Sequence, residues 1–208
     1  MIIAIDGPAA AGKGTLARRL AATLHLPYLD TGQLYRAVGR LVLDDAADPA
    51  DPNAATAAAE RLRPADLARS DLRDATASKA ASQVASIPGV RAALLAFQRN
   101  FGDTHGAVLD GRDIGTIIFP HADIKLFVTA SPQARAQRRL AEFLAKGESV
   151  SFEDVLADLT ARDEADKNRA AAPLIPAQDA ILLDTSHMDA DAAFDAALGH
   201  IRQKHPIS

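Results

Sequence analysis

The feature that most constrains this chain lies at its N-terminus. Ile2, Ile3, Ala4 and Ile5 form a short apolar run, long enough for one buried parallel strand, and Asp6 and Gly7 end it. The loop Gly7-Pro8-Ala9-Ala10-Ala11-Gly12-Lys13-Gly14-Thr15 follows, and Leu16, Leu20 and Leu24 then recur every four residues, as on one face of a helix. A strand, a glycine-bounded loop carrying lysine and then a helix is the context that makes a G-x-x-x-x-G-K match a phosphate-binding loop, or P-loop. Its backbone N–H groups point inward as an anion nest at a helix N-terminus. Gly12 and Gly14 let the backbone approach phosphate oxygens with no side chain between, and Lys13 adds a mobile positive charge. A tight glycine turn beside an exposed lysine would account for the glycines, but not for the full spacing between strand and helix. The loop implies a nucleoside triphosphate ligand.

Four further apolar runs read as strands: Pro27 to Asp30, Ala107 to Asp110, Ile124 to Val128, and Ile181 to Leu183. Helical patterns separate them. Thr31 is placed to cap a helix carrying Leu34, Tyr35, Val38, Leu41 and Val42, and Ile87-Pro88-Gly89 precedes one carrying Val90, Leu94, Phe97 and Phe101. Ser131-Pro132 starts a helix that Gly147 stops near Lys146, Ser151 to Asp154 starts another, and Ala190 to Arg202 forms a closing one. Five short strands separated by helices predict an α/β fold with a parallel sheet and right-handed crossovers. From about 44 to 82 the chain is rich in alanine and aspartate, with Pro49, Pro52 and Pro64 breaking it into short helical pieces. This stretch reads as a mobile helical insert within one domain, since 208 residues suit a single compact unit.

Composition narrows the chemistry. There is no cysteine, which removes disulfides, zinc thiolates and thiol nucleophiles, and the net charge of −4 argues against a general nucleic-acid or membrane-surface binder. The six histidines are scattered without metal-ligand spacing. Any positive site must be local, and the arginines supply one. Arg36 lies just beyond the second strand and Arg112 just beyond the third, at the carboxyl edge where α/β sheets bind ligands. Arg162 and Arg169 flank a charged stretch that, for Glu164 and Lys167, is a solvated helix face.

Together these residues resemble the bacterial cytidylate kinases, within the P-loop nucleoside monophosphate kinases. The resemblance covers nearly the whole chain. It rests on the G-K-G-T form of the loop, which argues against a GTPase, and on Asp30 to Arg36, Ala81 to Ala85, Asp110 to Thr116, and the run from Arg162-Asp163 through Asn168-Arg169 to Pro173-Leu174. It implies a P-loop NTPase fold with a five-stranded parallel sheet in the order 2-3-1-4-5. The single kinase domain would comprise a core at 1–43 and 83–208, a monophosphate-binding insert at about 44–82, and a helical lid at about 145–170. The insert is too short and strand-poor for the small antiparallel sheet of longer family members.

The activity implied is ATP-dependent phosphorylation of CMP and dCMP. ATP would sit on Gly7 through Thr15. The acceptor would meet Thr31, Tyr35, Arg36, Ser82, Arg91, Gly111, Arg112, Asp113, Arg162 and Asp166. Arg36 would hold the acceptor phosphate, Arg112 and Arg162 would reach the acceptor nucleotide, and Arg169 would lie toward the transferred group. Lys13, Arg112, Arg162 and Arg169 are thus the catalytic candidates, and Asp166 would accept a ribose hydroxyl. Mg²⁺ is the expected cofactor, held mainly by phosphates and water with Thr15 as a candidate contact, while Asp110 would support Arg112 or act at one remove. Ser82 and Asp113 can accept from the cytosine amino group and Arg91 can donate to its ring acceptors. The expected partners are ATP and CMP or dCMP, without nucleic acid or membrane, and the expected form is a cytoplasmic monomer. Rival readings are a P-loop kinase for UMP, AMP or shikimate, and a non-catalytic ATP-binding switch that would lack the acceptor-side arginines.

Overall fold

A computed structural model describes residues 1–205. Five strands, β1 (Ile2–Asp6), β2 (Tyr28–Asp30), β3 (Ala107–Gly111), β4 (Ile124–Thr129) and β5 (Ile181–Asp184), form one parallel sheet in the order β2-β3-β1-β4-β5. β1 lies at the centre because its residues tolerate burial on both faces. Ile3 pairs with Val108 on one side and Ile124 on the other, and Ile3, Ala4 and Ile5 are completely buried. The chain leaves β1 toward β2 and β3 on one side and reaches β4 and β5 on the other. The loop after β1 therefore sits at the switch point of the sheet, where a ligand crevice opens.

Helices cover both faces. On one, α1 (Lys13–Thr23) and α9 (Ala190–Lys204) pack Leu16, Leu20, Leu198 and Ile201 against Ile3, Ile5 and Leu126. On the other, α2 (Thr31–Asp44), α3 (Pro52–Glu60), α5 (Ala75–Val84) and α6 (Pro88–His105) pack Leu34, Val38, Val84, Val90 and Leu94 against Ala4 and Leu109. A short α4 (Pro64–Leu67) and a 3₁₀ turn (Ser70–Arg73) complete the region between α3 and α5. A third, smaller cluster joins α7 (Pro132–Ala145) to α8 (Phe152–Asn168) through Ala136, Val155 and Leu159, with Ala9 and Ala10 of the loop packed beside it. Gly147 adopts φ +78° after α7, a conformation glycine reaches without strain.

The insert is helical, as its composition predicts, and two of its prolines start helices: Pro52 and Pro64 each occupy a first turn, while Pro49 lies in the turn before α3. Its aspartates are caps and ion-pair partners. Asp51 caps α3 and Asp74 caps α5, while Arg40 of α2 lies 3.0 Å from Asp71 and Arg69 lies 2.5 Å from Asp44. α2 and α5 approach so closely that a Cβ on Gly39 would stand 2.8 Å from that of Ala80. One cap differs from expectation. Asp30, not Thr31, caps α2 by accepting from the Gln33 N–H at 3.1 Å, and Thr31 donates its hydroxyl to the Asp110 carbonyl at 2.7 Å. An aspartate ending β2 reaches the free N–H groups directly, which leaves the threonine to tie β2 to β3. Among the described residues no single helix is long and apolar enough to cross a membrane.

Candidate active site

The loop between β1 and α1 is shaped by backbone that few side chains permit. Gly7 has φ +147°, and a Cβ there would fall 1.9 Å from the Val128 carbonyl oxygen; Gly12 has φ +87° and caps α1. Lys13 begins α1 and is buried, its ammonium donating to the Pro8 carbonyl at 2.7 Å. Burial, and then the Arg112 guanidinium, push it down to about 7, against the opposing pull of Asp110 and Asp6. Burial likewise raises Asp6 and Asp110 to about 6. The loop thus holds a charge that lacks full solvation, and an arriving anion would restore it. Thr15 is exposed at the loop's exit. A Cβ on Gly14 would lie 3.3 Å from Asp110 Oδ2, so the small residue leaves room for the β3 carboxylate.

Across from the loop, arginines and carboxylates from different elements form a continuous chain. Arg91 of α6 donates to Asp113, Arg169 lies 3.8 Å from Asp113 and 3.7 Å from Asp166, and Asp166 of α8 accepts from Arg112 Nε at 2.8 Å. Arg112, its hydrogen bond and Arg162 hold the Asp166 carboxyl below its ordinary value although burial opposes them, while burial raises Asp113 despite Arg91 and Arg169. Arg36 pairs with Asp30 at 2.7 Å. Arg162 is pushed down to about 10 by burial and then by Arg112. Among the described residues four guanidinium nitrogens are buried without a hydrogen bond: Nε of Arg40, which lies in the ion pairs between α2 and Asp71, and, in this site, Nε of Arg36, Nε of Arg162 and Nη2 of Arg169. Buried donors of this kind call for an acceptor.

The remaining expected residues fall around this chain. Tyr35 is buried with the Arg91 guanidinium 5.8 Å from its ring centroid. Gly111 abuts Thr31, where a Cβ would come 2.6 Å from the hydroxyl. Ser82 turns back on its own helix, donating to the Ser78 carbonyl at 3.5 Å, with its hydroxyl on neither Arg91 nor Asp113. Asp110 does not support Arg112 by a hydrogen bond. It accepts from the Tyr28 hydroxyl at 3.3 Å and faces Lys13, while Arg112 takes Asp166 and the Gly111 carbonyl as partners. Arg112 still acts on the Asp110 carboxyl at a distance, through its charge.

Two arginines of α7 escaped the sequence reading. Arg135, only 3% exposed, donates to the Ala9 carbonyl at 3.3 Å, to the Ala130 carbonyl at 3.0 Å, and to both Asp163 oxygens at 3.1 and 2.6 Å. It ties the phosphate loop to α8 one residue after Arg162. Arg138 donates to the Thr185 hydroxyl and carbonyl at 3.0 and 2.6 Å, and Thr185 in turn donates to the Ala11 carbonyl at 3.2 Å. Ala11, Arg138 and Thr185 border a cleft of about 260 Å³ with Gly12, Thr15, Val128 and Met188. The available signal was the spacing of three between the two arginines just after a capped helix start. A second cavity, of about 310 Å³, lies away from the loop, at Leu41, Arg61, Arg63 and Asp66.

The chain is similar to known proteins over nearly its full length. The family described as cytidylate kinase matches residues 3–203. A cytidylate kinase of Acidiphilium cryptum (strain JF-5) is 66% identical over 95% of this chain and 93% of its own length. A cytidylate kinase of Paramagnetospirillum magneticum (strain ATCC 700264 / AMB-1) is 63% identical over 98% of each. A crystal structure of an uncharacterized protein from Eubacterium ventriosum ATCC 27560 is 15% identical, covers 97% of this chain and 98% of that one, and has a TM-score of 0.57, a likeness of fold alone. A phosphate loop at the switch point of a 2-3-1-4-5 sheet, facing a chain of arginines, agrees with the sequence match: this chain belongs to the cytidylate kinase family.

Proposed function

We propose that this protein transfers the terminal phosphoryl group of ATP to CMP or dCMP, releasing ADP and CDP or dCDP. The observation that carries this reading is the set of buried guanidinium nitrogens on Arg36, Arg162 and Arg169 that make no hydrogen bond, on the acceptor side of a phosphate loop. A phosphate-binding module without a second substrate has no use for them.

The triphosphate rests on the backbone N–H groups of Gly7 through Thr15, and Lys13 leaves the Pro8 carbonyl to meet it. The donor base and ribose enter the cleft beside Arg138 and Thr185. Arg36 forks onto the acceptor phosphate, whose oxygen attacks the terminal phosphorus as the bond to ADP breaks. Arg112, Arg162 and Arg169 neutralise the charge that spreads over the moving group, and Asp166 accepts a ribose hydroxyl. Thr31, Tyr35 and Gly111 wall the acceptor site, with Ser82, Arg91 and Asp113 at the base. Ser82 must rotate away from Ser78 to take part. The exposed Thr15 hydroxyl beside the phosphate loop suits magnesium, a hard cation held by few protein oxygens. Bound with ATP, magnesium supplies charge neutralisation at the phosphates. The domain works as core 1–43 and 83–208, insert 44–82 and lid 145–170, in a cytoplasmic monomer. Closure of insert and lid excludes water that would otherwise hydrolyse ATP.

ADP release measured with CMP, dCMP, UMP, AMP and shikimate in turn tests the proposal. CMP and dCMP should be the best acceptors. Turnover of AMP or shikimate with CMP inert would overturn it.

A further inference from the structure

Asp6 ends β1 and adjoins the phosphate loop, and the mechanism above gives it no task. It is 5% exposed. Its Oδ1 accepts the N–H of Ile114 and its Oδ2 the N–H of Gly115, each at 2.8 Å, across 108 and 109 residues of sequence. These two amides directly follow Asp113 and open a turn of π-helix, Ile114–Ile118, in which Ile118 donates to the Asp113 carbonyl at 3.2 Å and Phe119 to that of Ile114 at 2.7 Å. Such wide turns are rare and occur mostly at functional sites. The first N–H groups of a helical turn have no acceptor within it, and Asp6 supplies one for each from a different strand.

The fit leaves little slack. A Cβ on Gly115 would stand 3.4 Å from Asp6 Oδ2 and 3.1 Å from Lys125 Cδ. Asp113, held at φ −145° and ψ 26° by the start of this turn, carries the carboxylate that pairs with Arg91 and Arg169. The charged groups facing Asp6 are Lys13, which attracts it, and Asp113, which repels it. One carboxylate therefore touches the donor loop through its own backbone and the base-reading turn through its oxygens.

We infer that Asp6 is a positioning residue that sets the Asp113–Arg91 pair, and with it acceptor-base selection, from the root of the phosphate loop. The inference rests on the proposed function for the identity of the acceptor and for the place of Asp113 and Arg91 at its base.

Asp6→Asn keeps the shape but lets a single oxygen accept one N–H while the amide group confronts the other. Gly115→Ala crowds the same turn, chiefly against the Lys125 stem, with its methyl beside Asp6 Oδ2. Both variants are compared with the wild type by melting temperature, by amide hydrogen exchange across 112–116, and by kcat and KM for ATP and each nucleoside monophosphate. In Asp6→Asn, exchange should quicken at 112–116, acceptor KM should rise about tenfold, as for an amide left without its partner, and the preference for CMP over UMP should fall, with ATP KM near the wild-type value. Gly115→Ala should move the same quantities in the same direction by less, and decides the matter if Asp6→Asn does not fold. A changed ATP KM with unaltered acceptor preference and unaltered exchange at 112–116 would show Asp6 acting only as a charge beside Lys13, and would overturn the inference. If the wild type prefers an acceptor other than CMP, the proposed function fails; the ratio between its two best acceptors then decides the role of Asp6 separately.

Discussion

The two halves of the site are made in different ways. The proposed donor half is nine consecutive residues, with positive φ at Gly7, Ala10 and Gly12, in which backbone rather than side chains would do most of the binding. The acceptor half draws side chains from α2, α6, the turn after β3 and α8, and ion pairs between them hold it in place. A backbone nest keeps its shape when one side chain changes. A chain of ion pairs does not, because each member orients the next, and removing one leaves a buried charge behind. Damage to the donor half should therefore stay local and catalytic, whereas damage to the acceptor half should spread through binding and selectivity.

The largest effect should come from Lys13→Ala. Its ammonium is the one mobile charge in the nest, and losing such a group should lower kcat about a hundredfold to a thousandfold, with the fold and CMP affinity kept. Steady-state kinetics beside a melting curve checks this, and an undiminished kcat would mean the backbone suffices alone. Next is Arg36→Ala, which should weaken CMP binding about tenfold to a hundredfold, as for loss of a charged hydrogen-bonding group. Titration calorimetry should find ATP affinity nearly unchanged. A comparable loss for ATP would erase the division between the halves.

Asp113→Asn sharpens the comparison at the base. Cytosine offers an amino donor where uracil offers an oxygen, and a mispaired contact costs on the order of 1–3 kcal/mol. The CMP-to-UMP ratio of kcat/KM should fall about tenfold while turnover of the better substrate changes less. An unaltered ratio would take Asp113 out of the base pocket.

The smallest effect is a proton. Burial, then Arg112, pull Lys13 from 10.5 to about 7 in the folded protein. Below that value folded and unfolded chains both carry the proton, and the cost of burying the charge is fully felt. Between about 7 and 10.5 only the unfolded chain keeps it, so this contribution makes stability rise with pH across that window. A triphosphate beside Lys13 raises its pKa again. Nucleotide binding near pH 8 should take up close to one proton, and less near pH 6, read by calorimetry in buffers of different ionisation heat. Lys13→Met should abolish the uptake; uptake that survives it would assign the proton elsewhere.

The sequence by itself determined what is local. An apolar run, a glycine-bounded loop and a leucine repeat define β1, the nest and α1, because strand burial, positive φ and helix periodicity depend on neighbours along the chain. The same holds for Ser131 and Pro132 opening α7 and for Gly147 closing it; the prolines at 52, 64 and 88, read as breaks or turns, prove to open helices. The strand order and the candidate acceptor residues were legible only through likeness to a family, since no spacing of Arg91, Arg112 and Arg169 says that they meet. Tertiary structure decided the rest. It gave the α2 cap to Asp30 and freed Thr31 to bind β3, turned Ser82 onto its own helix, and gave Asp166, not Asp110, to Arg112. It brought Arg135 to the loop and Arg138 to Thr185 beside it, and placed the turn after Asp113 on Asp6. Apart from the local Asp30 cap and the Ser82–Ser78 bond, these contacts join residues far apart in sequence, and a charge or hydroxyl chooses among such partners only when the packed sheet and helices have set the distances.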